Sequence, residues 1–212
     1  MKKTSCALAF ILIMTIGYSQ TSENLEGDKF KKHKGFYLSM SAGPNIARIS
    51  DEVVGDFNFE FSGVGFVFDF KIGGVVKENI ILHASWVTTY MSGPKIKSDG
   101  ESVKTNNSLT IGEGMLGGGL TYYFMPVNLF LSGTLGFGNF TIVDADNDYS
   151  VSSDRGFSMQ LKIGKEWWVS KSWGLGVSLT YDKTKLSNEP GVGVEELLNS
   201  NNFGILFNAT LN

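Results

Sequence analysis

Hydrophobic residues recur at every second position in eight separate segments from residue 35 onward. Phe36, Leu38, Met40 and Ala42 form the first set, and Val64, Phe66, Phe68, Phe70 and Ile72 the second. Ile80, Leu82, Ala84 and Trp86 follow, then Leu116, Leu120, Tyr122 and Phe124. Leu129, Leu131, Leu135 and Phe137 make a fifth set, and Phe157, Met159, Leu161 and Ile163 a sixth. Trp173, Leu175, Val177, Leu179 and Tyr181 precede the last, Phe203, Ile205, Phe207, Ala209 and Leu211. The positions between them are mostly Gly, Ser, Thr and Asn. Period two places all members of a set on one face of a strand. One stretch breaks step: Phe57, Phe59 and Phe61 have the opposite parity to Phe66 and Phe68. A bulge near Gly63 would return them to the common face; without one they fill the mouth of whatever the strands enclose.

The connections alternate in length. Short ones fall at 73–79, 125–127 and 169–172, and long ones at 48–56, 92–107, 143–154 and 186–201. The long ones collect Asp51, Asp56, Asp99, Asp144, Asp146 and Asp148. Strands of about ten residues with one apolar face, short turns at one end and long loops at the other, are the signature of a transmembrane barrel. Both chain ends then lie on the short-turn, periplasmic side.

Composition narrows the choice. Charged residues make up 18% and aromatics 13%, with 26 glycines and 4 prolines. A soluble barrel of the lipocalin kind also alternates, but its water-facing surface would carry about a quarter to a third charged residues. Small side chains suit a crowded lumen better. The uncharged stretch 114–139 fails as a membrane helix because Gly117, Gly118, Gly119 and Pro126 interrupt it. In a bilayer only helices and closed barrels satisfy every backbone group.

The start reads as an export signal: Lys2 and Lys3, an apolar run over 6–17, then Gly17-Tyr18-Ser19. Cleavage is expected after Ser19. Cys6 precedes most of that run and leaves with it, so the mature chain has no cysteine. The expected organisation is a signal peptide over 1–19, a flexible periplasmic lead over 20–34, and an all-β domain over 35–212. That domain is an antiparallel up-and-down barrel of about eight strands. Tyr90, Tyr122, Phe124, Trp167, Trp173 and Tyr181 sit near strand ends, where two aromatic girdles are expected at the headgroup levels.

On this pattern the chain resembles the small outer-membrane barrels of the OmpA and OmpX type over about residues 35–212. Its last strand, Asn202 to Asn212, looks like the C-terminal signal of that superfamily, although it ends Leu211-Asn212 and not on an aromatic residue. The resemblance implies outer-membrane lipids as surroundings and insertion by the barrel-assembly machinery.

Parity sends Asp69, Lys71, Glu113, Lys162, Glu166 and Asp182 into the lumen. Charges there must pair or stay hydrated, which suggests a structural ion-pair plug; a gated pore would need those pairs to break. His33, in the basic run Lys31 to Lys34, is expected to be solvated. His83 and Ser85 share a strand face, the pattern of a base beside a hydroxyl nucleophile. That face points into the lumen, no matched acid completes a triad, and a hydrogen-bonded lumen histidine is the expectation. Asp144, Asp146 and Asp148 have calcium-loop spacing, but Tyr149 and Arg155 stand where such a loop needs Gly and Glu. A solvated acidic loop follows. No cofactor, metal or nucleic-acid partner is implied. The expected role is that of a non-enzymatic integral outer-membrane protein, structural or interacting through its outer loops with a partner the sequence does not name. A narrow channel or small apolar-ligand binder is the alternative, and a lipid-modifying enzyme the second.

Overall fold

The computed structural model describes residues 32–53, 58–98, 100–191 and 194–212. The expected signal peptide and most of the lead lie outside these residues. Eight strands form the wall: β1 Phe36–Val53, β2 Asn58–Lys77, β3 Ile80–Ser92, β6 Leu109–Phe124, β7 Leu129–Asp144, β9 Gly156–Trp168, β10 Trp173–Gly191 and β11 Val194–Leu211. Three short strands, β4 Lys95–Ser98, β5 Glu101–Lys104 and β8 Tyr149–Ser152, are built from two of the long connections. Every pairing is antiparallel, and β1 pairs with both β2 and β11, which closes the sheet. Closure matters because an open edge in hydrocarbon would leave a row of unpaired N–H and C=O groups.

Following paired residues from Met40 through Phe70, Trp86, Leu116, Phe137, Phe157, Lys185 and Asn199 returns to β1 at Ser50, ten residues further along. Eight strands with that stagger tilt by roughly 40° and leave an interior just wide enough for side chains to fill.

The turns at one end are tight because the chain supplies residues that accept left-handed backbone. Asn79 (φ 63°) ends the β2–β3 turn, and Asn128 (φ 55°) ends the β6–β7 turn. Two of the connections expected to be loops are instead strand. β1 and β2 stay paired to Glu52 and Asn58, and β10 and β11 to Gly191 and Val194. Beyond the bilayer both faces of a hairpin meet water, so polar residues there do not signal a loop.

The β1–β2 register runs unbroken from Phe36–Gly74 to Glu52–Asn58, so there is no bulge at Gly63 in this pairing. Phe59 and Phe61 therefore face inward, and Phe61 packs on the apolar cluster at the loop end. Phe57 lies outside the described residues.

The outer face is a band of exposed large hydrophobics on all eight strands, with Phe137 69%, Phe207 68% and Leu116 67% accessible. Monomers in water rarely expose contiguous apolar patches beyond a few hundred Å². A band that encircles the molecule requires hydrocarbon as its solvent.

Candidate functional site

The lumen is layered. At the loop end, Ala47, Ile49, Met91, Ile111, Phe140 and Leu186 are buried together, with Phe61, Ile142 and Leu198 packed against them. Lower down, Val67, Val87, Met115 and Leu206 form a second apolar group. At the turn end Tyr37, Ile81, Tyr123 and Phe130 make a third. Polar side chains fill the layers between them.

The charged layer is centred on Asp69, which is fully buried. Lys162 Nζ lies 2.8 Å from Asp69 Oδ2, and Lys71 Nζ lies 3.4 Å from Asp69 Oδ1. Lys71 also donates to Ser85 Oγ at 3.0 Å, Thr134 Oγ1 at 3.1 Å and Gln160 Oε1 at 2.7 Å. Lys162 donates to Ser41 Oγ at 2.6 Å. Both ammonium groups thus exchange hydration for several oxygen acceptors, the condition under which buried charge is tolerated.

The other predicted lumen carboxylates have no cation within 4.0 Å among the described residues, and here the ion-pair expectation fails. Glu113 accepts from Ser200 Oγ at 2.8 Å and Asn202 Nδ2 at 2.7 Å. Glu166 accepts from Thr210 Oγ1 at 2.7 Å and Tyr123 OH at 3.1 Å. Asp182 accepts from Thr180 Oγ1 at 3.1 Å. Small hydroxyl and amide side chains stand in place of cations: for Glu113 and Glu166 they come from other strands, which parity does not reveal, and for Asp182 from Thr180 on the same strand. The cavity bounded by Val87, Thr89, Glu113, Met115, Ser158 and Asp182 is about 10 Å³, room for about one water.

His83 is buried, with Nε2 3.4 Å from Ser132 Oγ. Ser85, the expected nucleophile beside it, donates instead to Asp69 Oδ1 at 3.3 Å. The acid that the sequence did not place is therefore present, but it is bonded to the serine and to two lysines. Among the described residues no hydrogen bond joins His83 to Ser85, whose hydroxyl is held by Lys71 and Asp69 instead.

Among the aromatic candidates, Tyr122, Phe124, Trp167 and Trp173 lie on the outer face near the turn end. Tyr90 and Tyr181 lie on it towards the loop end. The Tyr122 and Phe124 rings meet edge to face at 4.7 Å. Lys165 Nζ reaches over the Trp167 ring at 5.7 Å and donates to Val127 O at 3.1 Å. Tyr181 donates to Asn201 Oδ1 at 2.8 Å and packs on Phe203.

His33 corrects an expectation. It is fully buried, not solvated, and closes the turn end of the lumen. Its ring stacks on Tyr123 with centroids 3.6 Å apart, lies 5.0 Å from the Trp168 ring, and has Nε2 2.9 Å from Asn128 Oδ1. Its backbone N–H donates to Asn79 Oδ1 at 3.2 Å. Lys32 pairs with Glu78 at 2.7 Å, Lys34 N–H donates to Asn212 Oδ1, and Gly35 O accepts from Val75 N. The last residues of the expected lead are thus a strap fixed across the barrel mouth. No periodic signal marks it, because it precedes the first strand.

Burial pushes the His33 imidazole down to about 4, against the opposing pull of the Asn128 bond. The unfolded chain takes up a proton below about 6.5, and the buried ring does not. The strap therefore loses stability as pH falls from about 6.5 to about 4. Its facing groups are Tyr123, Trp168, Asn128 and Asn79, none of them charged in that range. The Trp168 indole resonance should shift across this window, and His33→Leu should remove the step.

In the acidic run of the β7–β8 turn, Asp144 is satisfied within the turn and Asp146 by the neighbouring connection. Asp144 accepts from Asp146 N–H at 3.1 Å and Asn147 Nδ2 at 2.7 Å, and these bonds hold its carboxyl below the usual range. Asp146 accepts from Asn106 Nδ2 and Ser108 Oγ, which ties this turn to the β5–β6 connection. Asp148 adopts φ 50° at the turn's end.

No family model matches the chain, and no curated protein matches it in sequence. Among solved structures it is similar to neisserial surface protein A, at 13% identity over 85% of this chain and 99% of that one, with a TM-score of 0.57. It is also similar to the outer membrane protein OprG from Pseudomonas aeruginosa, at 15% identity over 87% and 100%, with a TM-score of 0.52. Such likeness speaks of fold alone. A closed wall of eight strands, an apolar outer band and these two neighbours give the chain the fold of the small eight-stranded outer-membrane β-barrels.

Proposed function

We propose that this chain is a non-enzymatic outer-membrane protein that acts through the crown of strands at its loop end. The observation that carries the reading is the extent of ordered structure beyond the apolar band. β1, β2, β10 and β11 continue past it, and β4, β5 and β8 add paired hairpins above it. A barrel needs none of this to cross a bilayer. The crown carries charges on its outer surface, including Arg48 paired with Glu60 at 3.5 Å, and the exposed Lys95, Lys97, Glu101 and Lys104 of the β4–β5 hairpin. The outward aromatics Tyr122, Phe124, Trp167 and Trp173 at one level, and Tyr90 and Tyr181 at the other, would mark the two headgroup layers.

The lumen supports the same reading. Apolar clusters close it near both ends, and His33 covers the turn-end mouth. In planar bilayers the refolded protein should give no steady conductance; open-channel currents would favour the pore alternative instead. The crown itself is tested in a strain lacking the protein. Wild type should restore the strain's phenotype, whereas a barrel with the β4–β5 and β7–β8 hairpins replaced by short turns should not. Full rescue by the trimmed barrel would leave the protein a structural role only.

A further inference from the structure

Immediately above the loop-end girdle, the outward face of β10, β11 and β1 turns basic. Tyr181, Phe203 and Ile46 are cross-strand partners and end the continuous apolar band on these strands. Lys183 and Lys185 follow Tyr181 on the same face, opposite Met159 and Phe157 of β9. On a strand tilted by roughly 40° they stand about 5 and 10 Å higher, within side-chain reach of a headgroup layer about 5–7 Å thick. The wall climbs ten residues in eight strands, which brings Arg48 of β1 to the height of Lys185 of β10. Asn201 stands between them: it opposes Arg48 and accepts from Lys183 Nζ at 3.3 Å. Among the described residues no carboxylate lies within 4.0 Å of Lys183 or Lys185, and Arg48 keeps 67% of its side chain exposed beside Glu60. β3, β6 and β7 contain no Lys or Arg, so this charge belongs to one side of the barrel. A groove of about 450 Å³ opens beside Lys185, walled by Ser50, Glu52, Ser187, Leu197 and Asn199.

We propose that this face holds one lipid of the outer leaflet by its phosphate, with Arg48, Lys183 and Lys185 as the ligands, the groove as the seat of the headgroup and the acyl chains lying on Tyr181 and Phe203 below. A phosphomonoester carries about −1.5 to −2 charge near pH 7, which suits several converging cations. Arginine offers it a planar fork of N–H donors, and lysine a mobile point charge. Long basic side chains at this level lay their stems on apolar surface and bring their charge to the headgroups. The groove volume falls in the range of about 300–1,000 Å³ that small-molecule sites occupy. The order of charge along the bilayer normal decides the source of the phosphate. Glu52 and Glu60 stand nearer the loop end than the cations, and so does Glu195, which accepts from Ser187 Oγ at 3.1 Å. A soluble anion approaching from water meets these carboxylates first. A lipid reaches the cations sideways through the leaflet, beneath them. The bound phosphate would link β10 to β1 across β11, the strand that closes the barrel.

The test uses the refolded full chain in a non-ionic detergent. It is titrated with dioleoyl phosphatidic acid, whose headgroup is a bare phosphomonoester, and separately with dioleoyl phosphatidylcholine, and bound lipid is counted by native mass spectrometry. One phosphatidic acid per chain should be retained at concentrations where phosphatidylcholine is not. Lys183→Gln and Lys185→Gln should each weaken its retention about fivefold, and the double variant about thirtyfold, the ordinary worth of basic side chains beside anionic lipid. The pair Lys77→Gln and Lys171→Gln, with the same loss of charge at the turn end, should change it less than about twofold, since charges that far away are screened. Equal retention of the two lipids would overturn the proposal. So would a Lys183–Lys185 double variant that binds like wild type, or a turn-end pair that loses as much. Inorganic phosphate that displaces the lipid at equal concentration would make this a site for a free anion and overturn the lipid reading. All the substituted lysines lie at the surface, and the unboiled gel mobility verifies that the variants fold.

Discussion

Asp69→Leu should destabilise the barrel by about 3–5 kcal/mol, the cost of leaving a buried charge without its partner. The substitution removes the only carboxylate within 4.0 Å of Lys71 and Lys162 among the described residues. Two ammonium groups would then face one another between apolar layers, with only Ser41, Ser85, Thr134 and Gln160 as acceptors. The triple variant Asp69→Leu, Lys71→Met, Lys162→Met should recover most of the loss, since removing a whole buried ion cluster is often neutral or stabilising. Recovery should be incomplete, because the hydroxyl and amide acceptors lose their donors. Urea unfolding in detergent micelles measures both. A triple variant as unstable as the single one would place the cost in packing rather than in charge.

The same cluster shows what could be read from the sequence. Strict alternation puts Asp69, Lys71, Glu113, Lys162, Glu166 and Asp182 on one face because inward and outward positions of a strand cannot mix. Which of them meet is a different matter. Lys162 on β9 reaches Asp69 on β2 across the lumen, 93 residues apart, and no local pattern encodes that distance. Phe59 and Phe61 break step with Phe66 and Phe68, and parity alone allows either a bulge near Gly63 or a place in the mouth of the lumen; the unbroken β1–β2 register decides for the lumen. His33 had no signal at all, since its burial depends on Tyr123, Asn128 and Trp168, three residues from distant strands and turns.

Glycine on the inner face leads to the second large effect. A Cβ on Gly119 would meet the carbonyl oxygen of Gly133 and lie 2.8 Å from Thr134 Cα on the neighbouring strand. Gly117 and Gly136, on the same pair of strands, are enclosed in the same way by the backbone of Leu135 and Leu116. This is a matter of close approach: β6 and β7 curve so sharply around the narrow lumen that one strand's inner face touches the other's main chain. Gly118, one residue away, faces outward and has only His83 O at 3.6 Å. Gly119→Val should therefore cost more than about 3 kcal/mol, beyond ordinary overpacking, because backbone cannot give way as a side chain does. Gly118→Val should change stability by no more than about 0.5 kcal/mol, since a β-branched residue suits a strand and its side chain would enter the apolar band. Unboiled gel mobility after refolding should show Gly118→Val folded and Gly119→Val largely unfolded. Equal behaviour of the two would mean that the inner wall at β6–β7 yields by rearranging its register, and that the curvature of the barrel does not depend on these glycines.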